Sequence, residues 1–202
     1  VLGMAWSLLS PLLILLVMKL VFTQFFGRTM EHYTIYLFCG NLVFSYFNES
    51  TSQGMTSLVN NAAIFTKVNI PKYLFLFSKN VQTLINFSLT LCIFFVFCAF
   101  DRILFTWKFL LLLYPICLLV LFNIGVGLIL SALFVFFRDI QYLWLFLANP
   151  IYLFIRYFRK IVIEGAIPTV WFHLLMLADV LIVLGLGCWM YKKYNTRFLY
   201  YV

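Results

Sequence analysis

Two ionisable side chains stand inside long apolar runs, Lys19 in the first and Asp179 in the last. A charge at membrane depth is costly and marks ion pairs, proton relays or substrate contacts. With the first run crossing outward and the last inward, each residue lies about 7–8 positions from its outer end, roughly 10–12 Å deep. Matched depths allow an ion pair between them or a polar contact to a substrate. The alternatives are a snorkelling Lys19 and an Asp179 bonded to a neighbouring helix. Other chemistries lack their residues. No glycine is followed by lysine, so the G-x-x-x-x-G-K-S/T nucleotide loop is absent. His32 and His173 stand alone at run ends, without H-E-x-x-H, and there is no G-x-S-x-G elbow. Five cysteines without a C-x-x-C pair indicate neither a disulfide framework nor a zinc site. Catalysis and metal binding are not expected.

The elements that must hold these charges are membrane helices. Of 202 residues, 65% are apolar and 10% charged, against roughly 45–50% and about 25% in soluble domains. A bilayer core about 30 Å thick takes about 20 helical residues to cross, so the chain is expected to be one all-α transmembrane domain over residues 1–202. Clear spans run from about Trp6 to Phe26, Val81 to Phe100, Phe109 to Phe137 and Trp171 to Tyr191. Another begins near Tyr33 but continues from Phe47 into Asn48–Gln53, which must face protein or water. The span from Phe109 is overlong and should tilt, project, or kink near Pro115. Gly125, Gly127, Ser131, Gly185 and Gly187 permit close helix packing.

The net charge of +8 reads as topology rather than as nucleic-acid binding. Lys67, Lys72 and Lys79 in one connector, and Lys192, Lys193 and Arg197 in the tail, stand without acids. Both stretches, and with them the C-terminus, are expected on the cytoplasmic side. An even number of crossings is then required between Phe137 and the tail, yet only one clear span is present. A crossing between about Tyr142 and Asn149, and residues ahead of Val1, are expected to be absent from this sequence.

Val1–Leu12 is similar to an L-G-x-x-W-x-x-x-x-P-L start of a first span, and Gly40–Phe47 to a G-x-x-x-W-x-x-F stretch, with Phe44 in the Trp position. Val59–Pro71 resembles an N-x-x-L-I-x-K-V-x-F-P segment, and Leu133–Ile140 is close to a V-F-F-R-D-I signature. Together and in this order, the four stretches resemble the membrane subunit of ABC-2-type polysaccharide exporters, the family that includes O-antigen, teichoic acid and capsular glycan permeases. The family's Pro-Arg-Glu is Pro71-Lys72-Tyr73 here.

The resemblance implies six spans and a half-transporter of the bacterial cytoplasmic membrane. Two copies would pair, each on a separate cytoplasmic ABC ATPase that binds ATP and Mg, and a polyprenyl-diphosphate-linked glycan would pass between them. This chain would bind no cofactor and no nucleic acid. Asn60, Asn61, Ile64, Phe65, Lys67, Val68, Ile70 and Pro71 would form the segment coupling it to the ATPase. Arg138 and Asp139 would lie near the entry for the lipid diphosphate, or simply end a helix. Arg156, Arg159 and Lys160 would fall on the outer side and could hold the retreating diphosphate or anionic lipid. Because flat rings stack on pyranose faces, Trp6, Phe44, Tyr46 and Phe47 are candidates for the path, beside Lys19 and Asp179. An ABC-2 drug or lipid effluxer would share this architecture. A membrane-embedded enzyme of lipid-linked sugar metabolism would need clustered acids or histidines, and the six acids are dispersed.

Overall fold

The computed structural model describes residues 9, 12–14, 16–17, 20–21, 32–65, 67–68, 70–144, 150–195 and 198. Most of them are helical, and none lies in a strand. The helices are α1 (Tyr33–Asn60), α2 (Ala62–Phe65), α3 (Tyr73–Phe100), α4 (Leu113–Phe136), α5 (Ile140–Leu143), α6 (Ile151–Val162) and α7 (Val170–Tyr194), with a 3₁₀ segment, Trp107–Leu112, leading into α4. Three continuous helical stretches are long and apolar enough to cross a bilayer: Tyr73–Phe100, Trp107–Phe136 and Val170–Tyr194. The protein is an all-α polytopic membrane protein.

The long elements form an up-and-down arrangement around α4. α1 runs from His32 at one end to Asn60 at the other and packs against α3, α4 and α6, while α7 packs along α4. Aromatic rings fill the centre. Phe47 stacks on Phe122 at 6.0 Å, Phe122 lies 5.5 Å from Phe154, and Trp144 sits 5.4 Å from Phe47. Large apolar side chains such as Val81, Ile85, Leu181 and Ile182 remain exposed on α3 and α7. In a bilayer those faces meet hydrocarbon, which offers no hydrophobic drive to bury them further. The described residues of the first span, from Leu9 to Val21, are helical too.

Two span boundaries differ from the sequence reading. α3 starts at Tyr73 rather than near Val81, because the polar Ser78, Lys79 and Asn80 lower local hydropathy without breaking the helix, and Asn80 is buried. The overlong span changes helix type just before Pro115: the 3₁₀ segment leads into α4, and Pro115 falls in the first turn of α4, where its missing N–H costs little.

Close approach of α4 and α7 rests on two glycines. A Cβ on Gly187 would sit 2.7 Å from the Gly125 carbonyl oxygen, and one on Gly125 would sit 2.9 Å from the Leu184 nitrogen. Gly127 instead faces Leu76 of α3, and Gly185 faces open space.

From Phe137 the chain returns to the His32 end by an unexpected route. Trp144 already lies against Phe47 at mid-height, and α6 passes Phe122 and Tyr114 before ending beside Arg102 and Ile103. α6 has one buried face, formed by Ile151, Phe154, Tyr157, Phe158 and Ile161. The crossing expected to be absent between about Tyr142 and Asn149 falls largely on residues 145–149, which lie outside the described ones. Hydropathy does not single out α6, since it is neither long nor apolar all round.

Candidate functional site

Chemistry-bearing side chains gather at three levels. At the Asn60 end, α2 is a four-residue helix between two bundle-length helices. The α1 C-terminus is closed by Asn61, whose N–H bonds the Leu58 carbonyl and whose Nδ2 bonds the Ser57 carbonyl at 2.7 Å. After α2 the Lys67 and Val68 amides bond back to the Ile64 carbonyl, making one tight turn. Ile64 and Val68 are about half exposed, and Lys67 and Pro71 are exposed. Asn60 is exposed, while Asn61 and Ile70 are partly covered. The expected segment is thus an apolar and basic knuckle at the tip of the bundle, although the Phe65 side chain lies outside what is described.

The tail meets this same end. Lys72 donates to the Asn195 carbonyl at 2.6 Å and lies 5.6 Å from the Phe198 ring. Partial burial draws the Lys72 ammonium below the ordinary lysine range. The basic connector and the basic tail therefore share one end of the molecule. The opposite end is mixed in charge: His32, Asp101, Arg102, Lys108 and Glu164 gather there, with a His32 Nδ1 to Asp101 Oδ2 contact of 2.9 Å.

At mid-depth the polar half of α1 turns toward protein. Ser50 Oγ donates to Asn80 Oδ1 at 2.7 Å, and Asn86 Nδ2 donates to Glu49 Oε1 at 2.8 Å. Gln53 Nε2 reaches the same Glu49 oxygen at 3.2 Å. This polar seam between α1 and α3 was missed as a candidate. Glu49 sits within the polar run Asn48–Gln53, and its signal is hidden because that run reads as a helix end.

One turn away, Tyr46 and Asn123 are buried and near enough to interact, yet among the described residues neither the tyrosine hydroxyl nor either amide atom of Asn123 completes a hydrogen bond. Asn123 carries no sequence motif. Only its position in the middle of an apolar span could have singled it out. Phe47 belongs to the central core and Phe44 points outward.

The remaining candidates scatter. Asp179 is partly covered, with Oδ2 buried and unbonded among the described residues; Lys19 and Trp6 lie outside those residues. Arg138 and Asp139 are both exposed in the turn after α4, with no ion pair between them. The basic trio of α6 divides. Arg159 turns onto α1, its guanidinium 3.6 Å from the Tyr36 ring centre, its Nε donating to the Tyr36 carbonyl and its tip held over Gly40. Arg156 lies 5.9 Å from the Phe172 ring, and Lys160 is partly covered. Arg159 therefore works as a helix-to-helix tether. No group of His, Cys, Asp and Glu among the described residues could hold a metal.

No nucleophile, base and acid converge among the described residues. No known family profile matches the chain. It is 30% identical to an "O-antigen export system permease protein RfbA" of Myxococcus xanthus over 159 residues, covering 74% of this chain and 60% of that protein. A protein of the same name from Klebsiella pneumoniae is 23% identical over 226 residues, covering 96% of this chain and 86% of its own length. A second from that species is 26% identical over 146 residues, covering 69% and 54%. The chain thus spans about 60% of the first relative's length. The 226-residue match exceeds the 202 residues here, so that relative carries internal residues with no counterpart in this chain.

Proposed function

We propose that the chain is an ABC-2-type polysaccharide-export permease, as its similarity to O-antigen export permeases supports, and that it is the transmembrane half of an ATP-driven exporter of a polyprenyl-diphosphate-linked glycan of the O-antigen type. Two copies form the path, and each rests on a separate cytoplasmic ATPase that supplies ATP and Mg. The observation that carries this reading is the knuckle of Ile64, Lys67 and Val68. Apolar side chains exposed beside a lysine at the tip of a membrane bundle have no lipid to face, and a cleft in a soluble partner suits them.

The fold supports mechanical transmission. The knuckle is joined directly to α1 and α3, and the Ser50–Asn80 and Glu49–Asn86 bonds tie those two helices together. α4 and α7 move as a pair because their backbones touch at Gly125 and Gly187. Closure of a partner around the knuckle would swing the α1–α3 pair against the α4–α7 pair. The interface between the pairs is aromatic, Phe47 on Phe122, and rings slide more readily than interlocked hydrogen bonds break. By the excess of lysine at the knuckle and the tail, that end faces the cytoplasm of a bacterial inner membrane.

The test is genetic and biochemical together. Deleting the gene should remove the surface glycan and leave lipid-linked polymer inside the cell, and wild-type but not Val68→Asp protein should restore export. A deletion that leaves the surface glycan intact contradicts the assignment.

A further inference from the structure

Glycine aside, two described residues have left-handed backbone, His32 (φ 55°) and Arg102 (φ 56°), and both line one cavity of about 360 Å³ at the His32 end. At His32 the turn brings the imidazole to Asp101 at 2.9 Å. Arg102 has no such contact. It follows α3 in a turn where its own amide bonds the Ala99 carbonyl and the Ile103 amide bonds that of Cys98. Glycine ordinarily takes this position, because a Cβ is disfavoured there. The Arg102 side chain makes no hydrogen bond, ion pair or ring contact among the described residues. Backbone strain of this kind gathers at ligand sites. Lys108 lines the same cavity and is tied across it to the Gly165 carbonyl, which leaves two further N–H donors on its ammonium. Glu164 is the one acid among the described lining residues, and His32 is turned to Asp101. Positive charge therefore prevails, and a guanidinium fork suits two oxygens of one anion. Beside the lining residues in the chain, Phe100, Leu104 and Trp107 are 82%, 83% and 80% exposed. Apolar side chains this bare at the ends of spans lie in the interfacial layer of a bilayer, at headgroup level, where tryptophan gathers.

We propose that this cavity binds the phosphodiester of one anionic bilayer phospholipid, its two free oxygens accepting hydrogen bonds from the Arg102 guanidinium and the Lys108 ammonium. The glyceride end would lie against Leu104 and Ile161, apolar members of the same lining. Arginine is thus kept in a position that glycine would hold more stably, because the charge is used there. The bound lipid would join the end of α3 to the end of α6. This assignment stands apart from the transport reading, because it needs only the cavity and one leaflet.

The full chain, purified in detergent carrying equal amounts of phosphatidylglycerol and of a diacylglycerol with the same acyl chains, should retain phosphatidylglycerol alone when weighed intact by native mass spectrometry. Arg102→Gly should cut that retention about fivefold, the share of one basic residue near an anionic headgroup. In lipid-free detergent the same variant should unfold about 2–4 °C higher, since glycine relieves the left-handed turn. Glu164→Gln, at an exposed position, should raise retention about fivefold by removing the opposing charge. Unchanged retention in Arg102→Gly, a lower unfolding temperature in that variant, or weaker retention in Glu164→Gln would overturn the assignment. So would equal retention of the diacylglycerol, or displacement of the lipid by inorganic phosphate, which would make the site one for the soluble anion.

Discussion

Among the described residues Asn123 holds two unbonded polar atoms in the middle of the bundle, near an equally unbonded Tyr46 hydroxyl. Leaving such groups buried costs about 1–3 kcal/mol each, whereas an apolar replacement of similar shape removes the penalty. Asn123→Leu is therefore expected to raise the thermal unfolding temperature in detergent. A lower temperature would mean that Asn123 is satisfied by a group that occupies the site during work. Glu49 gives the opposite expectation, since it accepts from both Asn86 and Gln53. Glu49→Leu strands two amides and should destabilise by about 1–3 kcal/mol, measured the same way. Both residues were legible only in part from sequence. Asn48–Gln53 announced a surface that lipid could not cover, but the partners, Asn80 and Asn86, lie on another helix, and pairing across helices leaves no pattern in one strand of text. Arg159 shows the converse: basic spacing on α6 suggested one cluster, while the helical rotation turned it onto Tyr36.

Helix packing makes the small-residue stripe divisible. The sequence marked Gly125, Gly127, Gly185 and Gly187 alike, yet backbone meets backbone only where Gly187 faces the Gly125 carbonyl at 2.7 Å from a would-be Cβ, and Gly185 faces open space. Gly187→Ala should cost about 1–3 kcal/mol through overpacking and loosen α7 from α4. Gly185→Ala should be neutral or stabilise by about 0.5–1 kcal/mol through helix propensity. Equal effects from the two, in thermal unfolding of the purified variants, would refute the α4–α7 contact as drawn. Long apolar runs were readable because hydropathy reports them directly, so α4 and α7 fell close to their expected bounds. The helix α6 was not, because most of its apolar side chains lie on one buried face and its 12 residues fall short of a crossing.

For the whole molecule, the asymmetry of the two ends carries the functional meaning. One end combines the Ile64–Val68 knuckle with the connector and tail lysines, and the other is a mixture of both signs around His32 and Asp101. Introducing a charge at the knuckle should separate assembly from fold. Ile64→Asp and Val68→Asp alter half-exposed positions, so each variant should keep its unfolding temperature while losing co-purification with the ATPase at least tenfold, the factor that 1.4 kcal/mol of lost apolar contact provides. Retained co-purification in both would move the docking surface elsewhere.

The most direct measurement is transport in vesicles that contain the chain, the proposed ATPase partner and a lipid-linked O-antigen glycan labelled on the sugar. The account predicts that glycan reaches the far leaflet only when both proteins and ATP are present, and that Val68→Asp stops this movement while the ATPase alone still hydrolyses ATP. Movement of glycan without the ATPase, or full ATP-driven movement with the knuckle charged, would contradict it.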